Sequence, residues 1–296
     1  MRIRCLIENK ETPFLLYEHG LSLLIEYDNK KILFDTGKTN SFLSNAKKLN
    51  INLDIDYLVL SHAHYDHTGG VIDFIKENNY TKDIYVGKEF KANKYSLEDG
   101  NYIYKGTPFK IEDLSNIKYV DNGLTITKNI NLYNNFIVNN SFEKIGDKFY
   151  VLDKEYKKDL FKDEVVLTID TDKGLVLIVG CSHAGICNII DEVIKRTNKK
   201  IRGVIGGFHL SKERDEHALK VINELKKYDL DFICPIHCSG HENLFRREFK
   251  NKCHILESGD IYLIDEEKKK YKTTNSKLEN DYAEMTDRNY KDGDRN

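Results

Sequence analysis

One short segment, residues 61–70, constrains the fold and chemistry of this chain more than any other. It reads Ser-His-Ala-His-Tyr-Asp-His-Thr-Gly-Gly, which places three imidazoles and a carboxylate within six positions. The preceding apolar run, residues 56–60, is typical of a short buried strand. Burying so many titratable groups without partners is energetically unfavourable. The segment therefore predicts a metal site directly after a buried strand.

The spacing within this segment predicts which of its side chains bind the first metal and which bind the second. Residues two apart in an extended segment point the same way, so His62 and His64 can bind one metal together. Asp66 and His67 follow on a turn, where they can reach a second metal about 3.5 Å from the first. Asp66 is also the predicted catalytic residue, because its carboxylate could orient a metal-activated water and accept its proton.

Three further histidines each follow a predicted strand and lie close to glycine. They occur in the segments Gly180-Cys181-Ser182-His183, Gly206-Gly207-Phe208-His209-Leu210 and Ile236-His237-Cys238-Ser239-Gly240. Sites in layered α/β proteins form at the carboxyl ends of strands, so we expect convergence on the first cluster. We predict that His183 completes the first metal position and that either His209 or His237 completes the second. The other histidines lack this setting and are predicted to be ordinary surface or core residues: His19, His217, His241 and His254.

The remaining patterns predict an α/β layered sandwich. Strand patterns at 21–27, 31–34 and 56–60 come first, with helical patterns at 42–49 and after residue 70. Later, predicted strands at 165–169, 175–179, 202–205 and 232–235 alternate with predicted helices at 184–196, 213–227 and 242–249. The middle, about 80–164, predicts further strands plus an insertion that could cover the site as a lid. A hairpin-like segment at 254–264 closes a domain of residues 1–265, and 266–296 is predicted to be a charged, disordered tail.

The amino-acid composition limits which binding partners and which cellular compartment we expect. Lysine and arginine total 46 against 48 aspartates and glutamates, which gives no electrostatic reason to expect nucleic acid or a membrane as partner. The longest apolar runs only reach strand length, and the N-terminus lacks the apolar core of a secretory signal. We therefore expect a cytoplasmic protein that acts on a small molecule. None of the six cysteines forms a Cys-x-x-Cys pair, so disulfides and a zinc ribbon are not expected.

The run His62-x-His64-x-Asp66-His67, between a hydrophobic strand and Gly-Gly, resembles the signature of the metallo-β-lactamase superfamily. Phe34-Asp35-Thr36-Gly37 resembles the first conserved loop of that superfamily. The later histidine segments together resemble one branch, called 7,8-dihydropterin-6-methyl-4-(β-D-ribofuranosyl)aminobenzene-5'-phosphate synthase-like. The resemblance covers most of residues 1–265. It implies a four-layer αβ/βα sandwich with an insertion after the first metal motif, and one or two metals between the sheet edges.

The chain departs from this pattern at one place. Most two-metal members carry a bridging aspartate after the strand that here ends at Gly180, whereas this chain has Cys181-Ser182-His183. Either His183 takes the place of the usual third histidine, or Cys181 stands in for the bridging acid. Both alternatives stay open at the level of the sequence, and so does the number of metals.

The predicted ligands favour zinc, with iron or manganese as alternatives. A bound metal lowers the pKa of its water towards about 7, so the first hypothesis is hydrolysis of a phosphoester, ester or related small molecule by a metal-bound hydroxide. The second hypothesis, implied by the resemblance, is a methanopterin-type synthase. It would join a dihydropterin diphosphate to a ribosylaminobenzene phosphate and release pyrophosphate. The third is a non-haem iron redox enzyme, because Cys181 and Cys238 adjoin predicted ligands.

Overall fold

The computed structural model describes residues 1–264, which form three β-sheets and six α-helices. The strands are β1 (Arg2–Ile7), β2 (Ser22–Tyr27), β3 (Lys30–Phe34), β4 (Tyr57–Val59), β5 (Ile84–Gly87), β6 (Asn93–Glu98), β7 (Asn101–Tyr104), β8 (Ile117–Val120), β9 (Gly123–Thr127), β10 (Ile130–Tyr133), β11 (Phe149–Leu152), β12 (Tyr156–Lys158), β13 (Val166–Thr171), β14 (Gly174–Val179), β15 (Ile201–Gly206), β16 (Phe232–Pro235) and β17 (Ile261–Leu263). The helices are α1 (Ser41–Lys48), α2 (Tyr65–Thr68), α3 (Val71–Asn78), α4 (Ile186–Thr197), α5 (Asp215–Leu225) and α6 (Glu242–Phe249).

Two large sheets lie at the centre of the molecule. One has seven strands in the order β17-β1-β2-β3-β4-β5-β8, and the other has six in the order β16-β15-β14-β13-β10-β9. A single apolar cluster joins them, with Phe34 and Val59 from the first sheet and Ile178 and Ile205 from the second. The loops that carry the predicted metal ligands therefore begin at strands of two sheets that pack face to face.

Helices cover the outer face of each large sheet. Phe42 of α1 and Phe74 of α3 pack in a cluster with the first sheet, and Ile189 of α4 and Phe245 of α6 pack in a cluster with the second. In α4 the buried apolar residues Ile186, Ile189, Ile190 and Val193 recur at helical spacing, which gives the helix an apolar face towards the sheet. The predicted four-layer αβ/βα sandwich is confirmed.

The expected insertion is smaller than the segment 80–164. Four strands of that segment belong to the large sheets: β5 and β8 to the first, β9 and β10 to the second. Only β6, β7, β11 and β12 form a separate four-stranded sheet, in the order β12-β11-β6-β7, which we call the small sheet. Whether it acts as a lid stays a prediction.

The two ends of the described chain meet in one sheet. The hairpin expected at 254–264 is wrong, because the segment contributes one strand, β17, which pairs antiparallel with β1. Strand β1 itself was not predicted from the sequence. None of the helices within residues 1–264 combines the length and apolar character needed to cross a membrane. The predicted tail at 266–296 lies outside the described residues.

Candidate metal centre

The histidine segment turns sharply after β4. His64 has an extended backbone, with φ −91° and ψ 147°, and caps the single helical turn α2, which carries Asp66 and His67. All the predicted ligands of this segment are buried, with His62 and His67 fully inaccessible to solvent. The segment therefore presents His62 and His64 before the helical turn, and Asp66 and His67 from within it.

The structure brings His62, His64 and His183 together, and we call them the first ligand group. One nitrogen from each of the three lies within 4.8 Å of the others. His62 Nε2 and His64 Nδ1 are 3.0 Å apart, and the His183 ring lies 4.9 Å from the His62 ring and 5.0 Å from the His64 ring. His183 reaches this position from the loop between β14 and α4.

Asp66, His67 and His237 form a second ligand group, which also has donor atoms within 4.8 Å of one another. Asp66 Oδ2 lies 3.5 Å from His237 Nε2 and 3.9 Å from His67 Nε2. His237 follows β16 in a left-handed backbone conformation, with φ 54°. Of the two histidines considered for this position, His237 is the one whose ring meets Asp66 and His67.

His209 lies next to the two groups and outside both. Its ring centroid is 4.5 Å from that of His183. Burial, followed by the charge of Lys148, lowers the pKa of His209 to about 4, so its imidazole is neutral at pH 7. This places His209 at the edge of the centre, where it can contact a ligand in the cavity. Its predicted role as a metal ligand has no support from these distances.

Several nitrogens of the two groups are buried without a hydrogen-bond partner among the described residues. They are His64 Nε2, both nitrogens of His183, and His237 Nε2. Buried polar atoms are normally paired, so a cluster of orphaned imidazole nitrogens needs an explanation. Burial, reinforced by neighbouring positive groups, holds the pKa of His62, His64 and His183 well below the usual value. Neutral imidazoles with free lone pairs are what a divalent metal requires, and the residues fit one.

Asp35 orients His67 of the second ligand group by contacting the ring nitrogen that faces away from the centre. Its Oδ2 lies 2.6 Å from His67 Nδ1 and 2.7 Å from Ser61 Oγ, and its Oδ1 accepts the Ser61 amide at 2.7 Å. Burial lowers the pKa of His67, but Asp35 and Asp66 outweigh it and the net pKa is raised. A carboxylate at Nδ1 leaves Nε2 facing the centre, which is how proteins orient metal-binding histidines.

The loop after β1 orients His237, a contribution that the sequence did not indicate. Glu8 Oε1 accepts the backbone amide of His237 at 2.6 Å, and Asn9 Oδ1 lies 2.8 Å from His237 Nδ1. His19, predicted to be an ordinary residue, lies in the same region. Its Nε2 is 3.2 Å from Asp66 Oδ2, and its ring stacks on His237 at 5.2 Å. Its irregular local sequence carries no signal that could have indicated this position.

A buried charge cluster attaches the small sheet to the centre. Lys94 of β6 is 1% exposed, and its Nζ lies 2.6 Å from Asp159 Oδ2 and 2.7 Å from Asp163 Oδ1. The other oxygen of Asp163 accepts the backbone amide of Ala63, in the middle of the histidine segment, at 2.8 Å. The three charged residues therefore connect the small sheet directly to the loop that carries the first ligands.

A cavity of about 640 Å³ opens onto both ligand groups. Phe149 forms part of its wall and packs 5.1 Å from the His183 ring and 5.6 Å from the His64 ring. Lys148 and Lys212 also line the cavity, and Lys148 Nζ lies 5.0 Å above the Phe149 ring. Within residues 1–264, Lys148 has no carboxylate at ion-pair distance. Burial, together with the charge of Lys212, lowers the pKa of Lys148.

Comparison with known proteins agrees with this geometry. The model of the metallo-beta-lactamase superfamily matches residues 17–196. The chain belongs to the metallo-β-lactamase superfamily and is an enzyme of it, and divalent-metal binding follows from that membership.

Among individual proteins, the chain is 36% identical over 265 residues to the 7,8-dihydropterin-6-methyl-4-(beta-D-ribofuranosyl)-aminobenzene-5'-phosphate synthase of Methanocaldococcus jannaschii, covering 82% of this chain and 89% of that protein. An uncharacterized protein of the same organism is 31% identical, covering 82% of this chain and 92% of its own length. The solved structure of Tm1679, a metal-dependent hydrolase of the β-lactamase superfamily, is 33% identical with a TM-score of 0.79, covering 90% of this chain and 100% of that one.

Proposed function

We propose that the protein is a zinc-dependent hydrolase of a small-molecule phosphoester or related compound. One observation carries the proposal: two adjacent ligand groups with orphaned imidazole nitrogens lie in a cavity lined by lysines. The ligand groups fit zinc because it accepts neutral imidazole and carboxylate together. When bound there, zinc would supply a water of lowered pKa and an electrophile for a phosphoryl oxygen.

Asp66 is placed to act on the attacking water. Burial would raise the pKa of Asp66, but His67 and His237 hold it well below the usual range, so the carboxylate stays ionised. An ionised carboxylate can orient a water and accept its proton. His19 lies 3.2 Å from the same oxygen and is half exposed, so it can pass that proton on to solvent.

The lysines of the cavity favour an anionic substrate. Lys148 makes no ion pair among the described residues and lies beside Lys212, although the charge of Glu98 also acts on it. Two neighbouring cations repel each other, and an anion bound between them would relieve that repulsion. A phosphate group held by Lys148 above Phe149 would lie close to the first ligand group.

A second candidate is transfer of a dihydropterin group with release of pyrophosphate. The relative from Methanocaldococcus jannaschii, 36% identical, carries the name of such a synthase. The same features support this reaction, because a diphosphate leaving group also needs metals and cations nearby. A third, redox hypothesis would require iron in the purified protein.

We infer that the enzyme acts in the cytoplasm. All six cysteines are buried and free. Free thiols in this number suit a reducing compartment.

The decisive experiment combines metal analysis with substrate profiling. The purified protein is analysed for bound metals and incubated with phosphomonoesters, phosphodiesters, diphosphates and carboxylic esters. A parallel reaction contains a dihydropterin diphosphate and a ribosylaminobenzene phosphate and is followed by product mass. We expect zinc-dependent release of phosphate, reduced by at least about 10³-fold in Asp66→Ala. Near-normal turnover in that variant would remove the proposed mechanism, and a joined product would favour the transferase.

Lys148→Ala tests the anionic substrate. Because Lys148 contacts neither ligand group, we expect unchanged metal content and a KM about tenfold higher, equivalent to about 1.4 kcal/mol of lost binding. Lys154→Ala, an exposed lysine in the turn between β11 and β12, is the matched control. An unchanged KM in Lys148→Ala for every anionic substrate would contradict this role.

A further inference from the structure

A histidine outside the metal centre contacts a loop that lines the cavity. His241 lies between β16 and α6, and only 11% of its side chain is exposed. Its Nε2 lies 2.9 Å from Leu210 O and 3.1 Å from Glu213 O. A carbonyl oxygen can only accept a hydrogen bond, so Nε2 carries a proton and donates to both. The ring of His241 therefore holds two backbone atoms of the loop between β15 and α5.

The two carbonyl groups are the ends of a tight turn. Glu213 N donates to Leu210 O at 2.9 Å, which closes a four-residue turn over residues 210–213. Ser211 and Lys212 form the tip of this turn, and both line the cavity. Because His241 donates to both ends of the turn, it fixes the direction in which the tip projects.

The segment that carries His241 packs closely against this turn. Cys238 O accepts the amide of Ser211 at 3.0 Å. Gly240 has a left-handed backbone, with φ 58°, and a Cβ there would lie 2.6 Å from Ser211 Cα. A side chain at residue 240 would therefore push the two loops apart. Glycine brings the His241 ring within hydrogen-bond distance of the turn.

The turn places Lys212 near Lys148 from a separate part of the fold. Lys148 directly precedes β11 of the small sheet, whereas Lys212 follows β15 of the second large sheet. Burial, followed by the charge of Lys212, lowers the pKa of Lys148, so the two ammonium groups lie near each other. The distance between these two cations therefore depends on how the turn 210–213 is held.

We propose that His241 is a positioning residue for substrate binding, which holds the turn 210–213 so that Lys212 and Lys148 bind one phosphate group between them. This inference rests on the anionic substrate proposed above. It adds Lys212 as the second cation and His241 as the residue through which that cation is placed. His241 itself contacts neither the substrate nor the metal ligands.

The second nitrogen of the ring makes a separate contact, which allows the two contacts to be tested apart. His241 Nδ1 lies 3.0 Å from Oδ1 of Asp215, the first residue of α5. The Asp215 side chain is 77% exposed, so this contact contributes little to stability. A glutamine side chain places its amide near the position of Nε2, and an asparagine side chain places its amide near that of Nδ1.

The test measures the affinity of the zinc-loaded protein for inorganic phosphate by titration calorimetry, with metal content determined in parallel. His241→Ala should raise Kd about fivefold, the net effect of one or two lost hydrogen bonds, with metal content unchanged. His241→Gln should bind phosphate as the wild type does, because its amide can donate to Leu210 O and Glu213 O. His241→Asn should behave like His241→Ala, and His254→Ala is the matched control.

A double-mutant cycle tests whether His241 acts through Lys212. Lys212→Ala should raise Kd about tenfold, as for the loss of one cation at the site. Adding His241→Ala to Lys212→Ala should cause no further loss, because the turn then carries no cation to position. A histidine that only stabilised the fold would weaken binding equally in both backgrounds.

Circular dichroism establishes that each variant is folded, and His241→Asn provides the test if His241→Ala does not fold, since asparagine tolerates a left-handed backbone. Unchanged affinity in both of these variants, or an equal loss with and without Lys212, would overturn the inference and leave the proposed function intact. Unchanged affinity in both Lys148→Ala and Lys212→Ala would contradict the proposed anionic substrate and this inference with it.

Discussion

The two ligand groups have equal numbers of side chains but are held in place differently. In the second group every member has an outer partner: Asp35 behind His67, Asn9 behind His237, and His19 beside Asp66. In the first group, among residues 1–264, only the His62 side chain has one, the Ser61 hydroxyl at 3.0 Å. His183 is instead held by packing, with its ring stacked on Phe161 at 3.8 Å.

This difference separates two ways of building a metal position. Hydrogen bonds orient the second group in advance, and Asp66 gives it a negative charge that attracts a cation. The first group is neutral and surrounded by aromatic rings, so its nitrogens stay unsatisfied until a metal binds. We therefore expect the two positions to differ in affinity and in their response to mutation.

The largest expected effect comes from removing one ligand of each group. His183→Ala and His237→Ala should each lose about one equivalent of metal and lower kcat by about 10³-fold, because activation of water and stabilisation of the leaving group both depend on an intact centre. Metal content per chain and kcat on the best substrate of the panel measure this. His254→Ala, a histidine outside the centre, is the control. Full metal content in both His183→Ala and His237→Ala would show that the two ligand groups do not hold separate metal ions.

A smaller effect is expected from the support behind the second group. Asp35→Asn removes the negative charge at His67 Nδ1 while keeping a residue that tolerates the observed φ of 60°. Metal affinity of the second position should fall about 10- to 100-fold. Affinity of the first position should fall less, because Asp35 reaches His62 only through the Ser61 hydroxyl. Competition with a chelator, resolved into two binding steps, measures both. Equal weakening of the two steps would remove the distinction drawn here.

The smallest effect concerns the backbone that supports the first group. Glu164 accepts the amides of His183 and Ala184 at 2.6 and 3.0 Å, yet burial raises its pKa from 4.5 to about 7. The folded state then holds the proton more tightly than the unfolded state. The contribution of Glu164 to the free energy of unfolding is full below pH 4.5 and is lost as the pH rises towards 7.

Urea unfolding of metal-free protein across this pH range measures the effect. The wild type should lose stability with rising pH relative to Glu164→Gln, which does not titrate. Glu143→Gln is a matched comparison, since Glu143 is also buried and accepts backbone amides, at the start of α4. Parallel pH profiles for wild type and Glu164→Gln would show that folding does not shift the pKa of Glu164.

Sequence reasoning grouped the candidate ligands best where they are close together along the chain. Four of them lie within residues 62–67, and their alternation alone indicated which pairs could share a metal. The choice between His209 and His237 could not be made, because both follow a strand and adjoin glycine. Both also have left-handed backbones, with φ 52° and 54°, so only the spatial course of each loop decides which ring reaches Asp66.

The supporting residues were largely invisible to sequence reasoning. Asn9 and His19 come from an irregular segment that meets the centre only after β1 and β2 pair. Lys94 and Asp163 are 69 residues apart, and nothing local marks either as buried. The small sheet was missed for the same reason: β6 pairs with β11 across a long separation, and the buried positions of β6 carry Lys94 and Ser96 instead of apolar residues. Long-range pairing, rather than local pattern, determines these features.

The buried ion cluster of Lys94, Asp159 and Asp163 restricts how this enzyme can diverge or be engineered. Replacing Lys94 alone would leave two carboxylates buried without a cation, and one of them accepts the amide of Ala63. If the small sheet is replaced to bind another substrate, the new sheet must therefore place a cation where Lys94 lies. Otherwise Asp159 and Asp163 must both be replaced as well. Among natural descendants, we expect these three positions to change as a set.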